Sequence, residues 1–332
     1  MRSTSARTSA LAGSLCVIMM SVPFTTWARR GGHEIKEIPP SARESTYGAG
    51  DWTRTTKHGG RDRYYMVHVP PGYDRARPSP VILFFHGGGG SGANSKKWLG
   101  LDALADRENF IVVYPEGTGF LKRRLLTWNA GSCCGYAKNH QVDDVGFVAT
   151  MLDELGRVFR VDAKRVYATG ISNGALMSWR LACQLSNRIA AIAPVAGTLN
   201  FDGCVPSRPV AVIAFHGTGD PYEPYGGGKG KSFPGTRNKN AFRSVKETTA
   251  IWTKTIGASP TPTSTHRKGS AVCTVHGGGR GGAELVLWTL EGGGHTWPGV
   301  KSEPAQRLLG SINRDISANE LMWKFFTQHP MR

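Results

Sequence analysis

Gly170-Ile171-Ser172-Asn173-Gly174 is the stretch on which the reading of this chain turns. It is a G-x-S-x-G pentapeptide between a short strand-like run at residues 165–168 and a helical pattern over residues 174–185. Strand, tight turn and helix are the setting that this motif needs to carry a nucleophilic serine. The strained turn brings neighbouring chain close while lifting the serine oxygen above the sheet, so the flanking residues must be small. Gly170 and Gly174 are.

Working outward, apolar runs of strand length alternate with helical ones, the pattern of a mainly parallel α/β sheet. Residues 64–69 alternate like an early edge strand. Residues 81–85 form a buried run leading into His86-Gly87-Gly88-Gly89-Gly90. A helix is expected over 97–109, a strand over 110–114, and a helix over 142–159 with Asp143 and Asp144 in its first turn, where acidic residues suit the helix dipole. Strands are expected at 189–195, 210–215 and 284–290, and helices near 241–255 and 317–328. Residues 226–240 and 258–282 read as loops by composition. There is no internal repeat and no linker to a second domain.

A serine hydroxyl is a weak nucleophile until a base takes its proton, and the base must be oriented by an acid. In this architecture the chain order is serine, acid, histidine. His295, in Gly292-Gly293-Gly294-His295-Thr296-Trp297-Pro298-Gly299, follows the last expected strand and is the expected base. Asp220, in His216-Gly217-Thr218-Gly219-Asp220-Pro221, follows the strand ending at Phe215 and is the expected acid. Asp202, Asp143 and Asp144 compete on charge alone. His86 and His216 immediately follow strands and read as loop-orienting residues. A developing oxyanion needs two preorganised N–H donors. Asn173, the residue after the nucleophile, supplies one; Gly88, where glycine lets the backbone approach a reacting carbonyl, supplies the other.

The chain's 332 residues suit one large domain or two small ones, and 39% apolar with 20% charged residues excludes a disordered or fibrous chain. Arg2 and Arg7 precede an apolar stretch at residues 11–22, too short to span a bilayer, and Thr26-Trp27-Ala28 offers a cleavage site. Residues 1–28 therefore read as a signal peptide, 29–60 as an N-terminal extension and 61–332 as a single catalytic domain. The expected protein is secreted, periplasmic or extracellular, without a membrane span, and monomeric. Removing the leader takes the formal charge from +17 to +15. The basic residues are scattered, so they read as a solubilising surface and no nucleic-acid partner is expected. Export favours disulfides. Cys183 with Cys204 is the preferred pair, tying a helix to a nearby loop; Cys133, Cys134 and Cys273 remain, and an odd number cannot all pair within one chain. No cysteine or histidine spacing resembles a metal site, so neither metal nor cofactor is expected.

The chain resembles the secreted serine esterases grouped as polyhydroxybutyrate depolymerases and feruloyl esterases, from about residue 63 to 326. The resemblance rests on Pro70-Pro71-Gly72-Tyr73, the His86–Gly90 run, Trp128-Asn129-Ala130-Gly131 with Cys133-Cys134-Gly135, Val142-Asp143-Asp144-Val145-Gly146-Phe147, Ser172-Asn173-Gly174, Ala193-Pro194-Val195-Ala196-Gly197, and the motifs holding Asp220 and His295. It implies an α/β-hydrolase fold, a central sheet flanked by helices, and a serine carboxylic-ester hydrolase using the triad and oxyanion donors already drawn. An acyltransferase passing the acyl group to a sugar or alcohol is the alternative. Only fourteen residues, 196–209, link two strands where related hydrolases insert a lid, so no large lid and an open cleft are expected. Trp128 and Trp297, in loops on the catalytic side, are expected to bind substrate. No added polymer-binding domain is visible, and the expectation leans to soluble or oligomeric esters.

Overall fold

A computed structural model describes residues 35–39, 47–121, 123–233 and 240–332. The expected signal peptide, with Cys16, lies outside the described residues. In chain order the elements are β1 (Lys36–Ile38), β2 (Gly50–His58), β3 (Arg61–Val69), β4 (Ser79–Phe85), α1 (Gly92–Leu99), α2 (Leu101–Glu108), β5 (Ile111–Pro115), α3 (Gly135–Asn139), α4 (Asp144–Val158) and β6 (Val161–Ile171). There follow α5 (Asn173–Gln184), β7 (Ala191–Val195), β8 (Ala211–Gly217), β9 (Gly228–Lys229), β10 (Ala241–Phe242), α6 (Val245–Ile256), β11 (Ser264–Lys268), β12 (Ala271–His276), β13 (Leu285–Leu290), α7 (Gln306–Leu309) and α8 (Ala318–Gln328).

Eleven strands form one sheet in the order β1-β2-β3-β5-β4-β6-β7-β8-β13-β12-β11. Its middle, from β5 to β13, is parallel, and antiparallel strands flank it on both sides. β4, β5, β7 and β8 are buried along their whole length. Such continuous apolar runs belong to parallel strands covered by helices on both faces, and the chain has the α/β-hydrolase fold. Parallel order places the C-terminal ends of β4, β5, β6, β7, β8 and β13 at one end of the sheet. All the loops with expected chemistry leave from that end.

Three elements differ from the sequence reading. The helix expected over 97–109 is two helices, because Gly100 takes the left-handed conformation (φ 73°) that ends α1 and opens α2. Residues 64–69 are not an edge: β2 pairs with β3 over nine positions and β1 lies outside it. β2 lacks apolar alternation because its inward side chains are polar. Arg54 and Thr56 both bond Glu154 on α4, at 3.0 and 2.6 Å, and Tyr65 of β3 donates to the same carboxylate. The third difference is a hairpin, β11 and β12, inside the expected loop 258–282. β11 is the exposed edge of the sheet and carries Arg267 and Lys268, the kind of charge that keeps an edge from pairing with another chain.

Cys183 of α5 is bonded to Cys204, with the Cα atoms 5.1 Å apart, as expected. Cys133 pairs with its neighbour Cys134, and Cys273 is free and buried. Among the described residues no helix is long and apolar enough to cross a membrane.

Candidate active site

Ser172 sits where β6 breaks into α5, with φ 58° and ψ −127°, a conformation that costs a non-glycine residue energy and persists because its surroundings over-determine it. Its N–H donates to Val195 O (3.0 Å) at the end of β7, and its carbonyl accepts from Leu176 N (3.0 Å). A Cβ on Gly170 would lie 2.5 Å from the carbonyl oxygen of Phe85, the last residue of β4, and one on Gly174 would overlap the same oxygen. Both glycines are thus required by the close passage of β4. The elbow leaves Ser172 partly exposed.

The neighbouring glycine run is fixed by His86. Burial pushes this imidazole down to about 4, so it is neutral; Nδ1–H donates to Gly87 O (2.8 Å) and Nε2 accepts from Gly117 N–H (3.0 Å). His86 therefore orients a loop, as the sequence suggested. Gly89 N–H is taken by Leu126 O (2.7 Å) and Gly90 N–H by Gly87 O (3.0 Å). Gly88 is the glycine that approaches Asn173: a Cβ on it would stand 3.7 Å from the Asn173 Cβ. The Asn173 side chain is itself locked, accepting from Trp128 N–H (2.7 Å) and donating to Trp128 O (3.1 Å).

Asp220 and His295 meet across the β8 and β13 loops, with His295 Nδ1 2.7 Å from Asp220 Oδ2 and both residues buried. The other oxygen of Asp220 accepts the N–H groups of Tyr222 (2.8 Å) and Glu223 (2.9 Å). Burial alone would raise this carboxyl, but the charge and hydrogen bond of His295 outweigh it and hold Asp220 below the usual carboxylate range. His216, kept neutral by burial, donates from Nε2 to Glu223 O (2.8 Å) and so fixes the turn that aims Asp220. Nε2 of His295, the nitrogen turned away from Asp220, is buried and makes no hydrogen bond among the described residues. No bond joins it to Ser172 in this structure.

Four residues that the sequence reading passed over gather here. Tyr222 and Phe233 stack flat on one another (3.9 Å) and both turn ring edges or faces to the His295 imidazole at 5.5 and 6.1 Å. Glu223 is buried and held well above its ordinary value, first by burial and then by the Asp220 charge. Glu303 accepts from Trp297 N–H (2.9 Å), two residues past His295, and burial pushes it up to about 7. His295 is 2% exposed, since its N–H also bonds Leu309 O (2.7 Å) in the segment that crosses it. The 196–209 link carries no lid, yet His295 is covered by its own neighbours, which the open-cleft expectation did not foresee.

Trp128 and Trp297 do not line a pocket. Both are 0% exposed: the Trp128 indole donates to His86 O and packs on Phe85, while Trp297 donates to Asn319 and packs on Phe84. They are core residues that hold the catalytic-side loops, and the substrate-binding assignment is corrected accordingly. Of the competing acids, Asp202 is exposed and paired with Arg243, Asp143 caps α4 by accepting from Gly146 N–H (2.9 Å), and Asp144 is buried against Arg63 (2.7 Å). Asp51, His68 and Asp102 lie close enough to share an ion, but the Lys96 ammonium already bonds both carboxylates.

The model of the family described as esterase PHB depolymerase matches residues 63–212. NocK of Nocardia uniformis subsp. tsuyamanensis, named as an esterase, is 30% identical over 308 residues, covering 85% of this chain and 84% of that one. Feruloyl esterase B of Piromyces equi is 31% identical over 238 residues, 70% of this chain and 42% of its own length, so this chain spans less than half of that relative. Among solved structures, an acetyl xylan esterase from Aspergillus awamori superposes with a TM-score of 0.51 at 15% identity, covering 80% of this chain and 94% of that one, a likeness of fold.

Proposed function

The chain belongs to the PHB depolymerase family of esterases and is a carboxylic-ester hydrolase, and from that premise we propose that Ser172, His295 and Asp220 are its catalytic triad. The observation that carries this reading is the buried 2.7 Å bond from His295 Nδ1 to Asp220 Oδ2, which leaves Nε2 as the nitrogen that takes the Ser172 proton. Ser172 Oγ then attacks the ester carbonyl, and an acyl-enzyme forms as His295 returns the proton to the leaving alcohol. The N–H groups of Gly88 and Asn173 hold the oxyanion. Loss of one such donor costs about 3–4 kcal/mol of transition-state stabilisation. Water, activated by the same imidazole, releases the acid.

Phe233, half-buried beside the base and backed by Tyr222, takes the place of the two tryptophans as the aromatic surface that meets the substrate. The names of the relatives favour esters of plant-wall type, feruloyl or acetyl, presented on soluble or oligomeric alcohols. Export is part of the proposal: two cysteine pairs are bonded, as suits an oxidising compartment, and residues 1–28 supply the leader. The catalytic domain is taken as residues 61–332, with β1 and β2 of the preceding extension added to the edge of its sheet.

The test is a substrate panel of methyl ferulate, p-nitrophenyl acetate and butyrate, and hydroxybutyrate oligomers, each with and without an added alcohol. Hydrolysis that methanol or a sugar does not divert supports an esterase; acyl transfer dominating over hydrolysis makes the chain an acyltransferase on the same triad.

A further inference from the structure

Among the described residues six large apolar side chains stand exposed: Ile35, Phe120, Leu121, Leu125, Val205 and Leu308. Four of them, Phe120, Leu121, Leu125 and Leu308, lie in the connections that leave the C-terminal ends of β5 and β13, the end of the sheet that carries Ser172, Asp220 and His295. Three share one hairpin between Gly117 and Thr127, closed by bridges from Thr118 to Thr127 and from Leu121 to Arg124. Phe120 is 86% exposed and Leu125 66%, and Arg123 and Arg124 are exposed in the same turn. The base of the hairpin is bonded to the glycine run, through Gly117 N–H to His86 Nε2 and Gly89 N–H to Leu126 O. Its tip therefore rises from the wall of the proposed oxyanion loop, with the Arg123 guanidinium lying over the ring of Tyr64 (4.1 Å).

We infer that this hairpin is a docking tip that seats the catalytic face on an anionic lipid surface. The inference goes beyond the esterase reading and does not depend on the triad. A patch of this kind has to meet a partner that accepts apolar side chains and arginines within one turn. A second copy of the chain, related by a two-fold axis, would set the same arginines against each other. A neutral polyester offers nothing to the arginines, and a soluble acidic polysaccharide leaves Phe120, Leu121 and Leu125 in water. An anionic bilayer provides both: phosphates at the depth of the arginines and an apolar layer beneath for the aromatic and aliphatic tips. The formal charge of +15 that remains once residues 1–28 are removed acts in the same sense by drawing the chain to such a surface.

The experiment uses purified protein lacking residues 1–28, so that the apolar stretch at 11–22 is not itself an anchor; the compact unit Ile35–Arg332 is retained whole. Sedimentation is measured with phosphatidylcholine vesicles, with vesicles containing about a third phosphatidylglycerol, and in competition with soluble polygalacturonate. The expected result is binding to the anionic vesicles at low salt and little to the neutral ones, with release near 1 M salt, where screening acts within about 3 Å. Phe120→Ser/Leu125→Ser should lower the vesicle partition at least tenfold, and Arg123→Gln/Arg124→Gln should remove the preference for phosphatidylglycerol. Both variants should hydrolyse p-nitrophenyl acetate as the parent does, which also reports that they fold. Absence of parent binding, vesicle binding unchanged by Phe120→Ser/Leu125→Ser, or transfer of the parent from vesicles to polygalacturonate overturns the inference. The vesicle readouts do not need the triad, and a circular dichroism spectrum reports the fold of each variant independently of hydrolysis, so a failed docking and a failed catalytic assignment are told apart.

Discussion

Around Ser172 the chain is positioned by sterics. A carbonyl from β4 passes so close that Gly170 and Gly174 are required, and a positive φ turns the serine out of the sheet. Around His295 the chain is positioned by buried polar groups instead: Asp220 below its usual range, Glu223 and Glu303 above theirs, and a neutral His216 clasping the turn. The two regions should therefore fail differently, the first when a methyl group is added and the second when a charge is removed or the pH is changed.

The largest expected effect is that of Ser172→Ala, which should lower kcat by about 10⁶-fold without loss of fold, checked by a progress curve at high enzyme concentration beside a circular dichroism spectrum. Most of the activity surviving would remove Ser172 from the chemistry. Next, Asp220→Asn should lower kcat by about 10⁴-fold, since the amide still fills the site but no longer steadies an imidazolium. Asp202→Asn, at an exposed ion pair, should leave kcat within a factor of two or so. Were Asp202→Asn the damaging change, the acid would be misassigned.

On the steric side, Gly174→Ala should destabilise the fold by about 3 kcal/mol, because the new methyl must displace the backbone of Phe85. Denaturant unfolding at a single pH checks it, and a change below about 0.5 kcal/mol would mean that the elbow relaxes freely. The electrostatic side gives an effect that vanishes at low pH and only near pH 8 reaches the size of the steric one. Glu303 keeps its proton up to about 7 in the folded chain but only to about 4.5 when unfolded. Its contribution to stability is thus full below 4.5 and is lost as pH rises through 7. Glu303→Gln, which still accepts from Trp297 N–H, should match the parent near pH 4.5 and exceed it by up to about 3 kcal/mol near pH 8. Identical stability curves against pH would show that Glu303 titrates normally.

How far the sequence reached differs between the same two regions. The elbow was legible because its constraint is local: small residues on either side of a serine, a strand before and a helix after, all within a few turns of chain. The pairing of Asp220 with His295 was legible from chain order and from their places after strands. The tryptophans misled because a loop position at the catalytic end says nothing about whether an indole faces outward, and here both indoles fill the core. Glu223, Glu303, Tyr222 and Phe233 carried no signal at all, since each acts through residues that only the folded loops bring beside His295. β2 and the β11–β12 hairpin were missed for a related reason, because their pairing surfaces are polar and the alternation that marks a half-buried strand is absent.

The sequence by itself determined the succession of the buried parallel strands and the long helices between them, the turn that presents Ser172, the pairing of Cys183 with Cys204, and which aspartate and histidine would meet. These follow from apolar periodicity and from steric rules that act over short stretches of chain. Only the tertiary structure decided what is buried and what is not: two tryptophans in the core, an imidazole roofed by stacked rings, carboxyls lifted from their ordinary range, and a hairpin with Phe120 left in water. Burial sets both proton affinity and access, and it is a property of how distant segments are stacked, so no local stretch of sequence contains it.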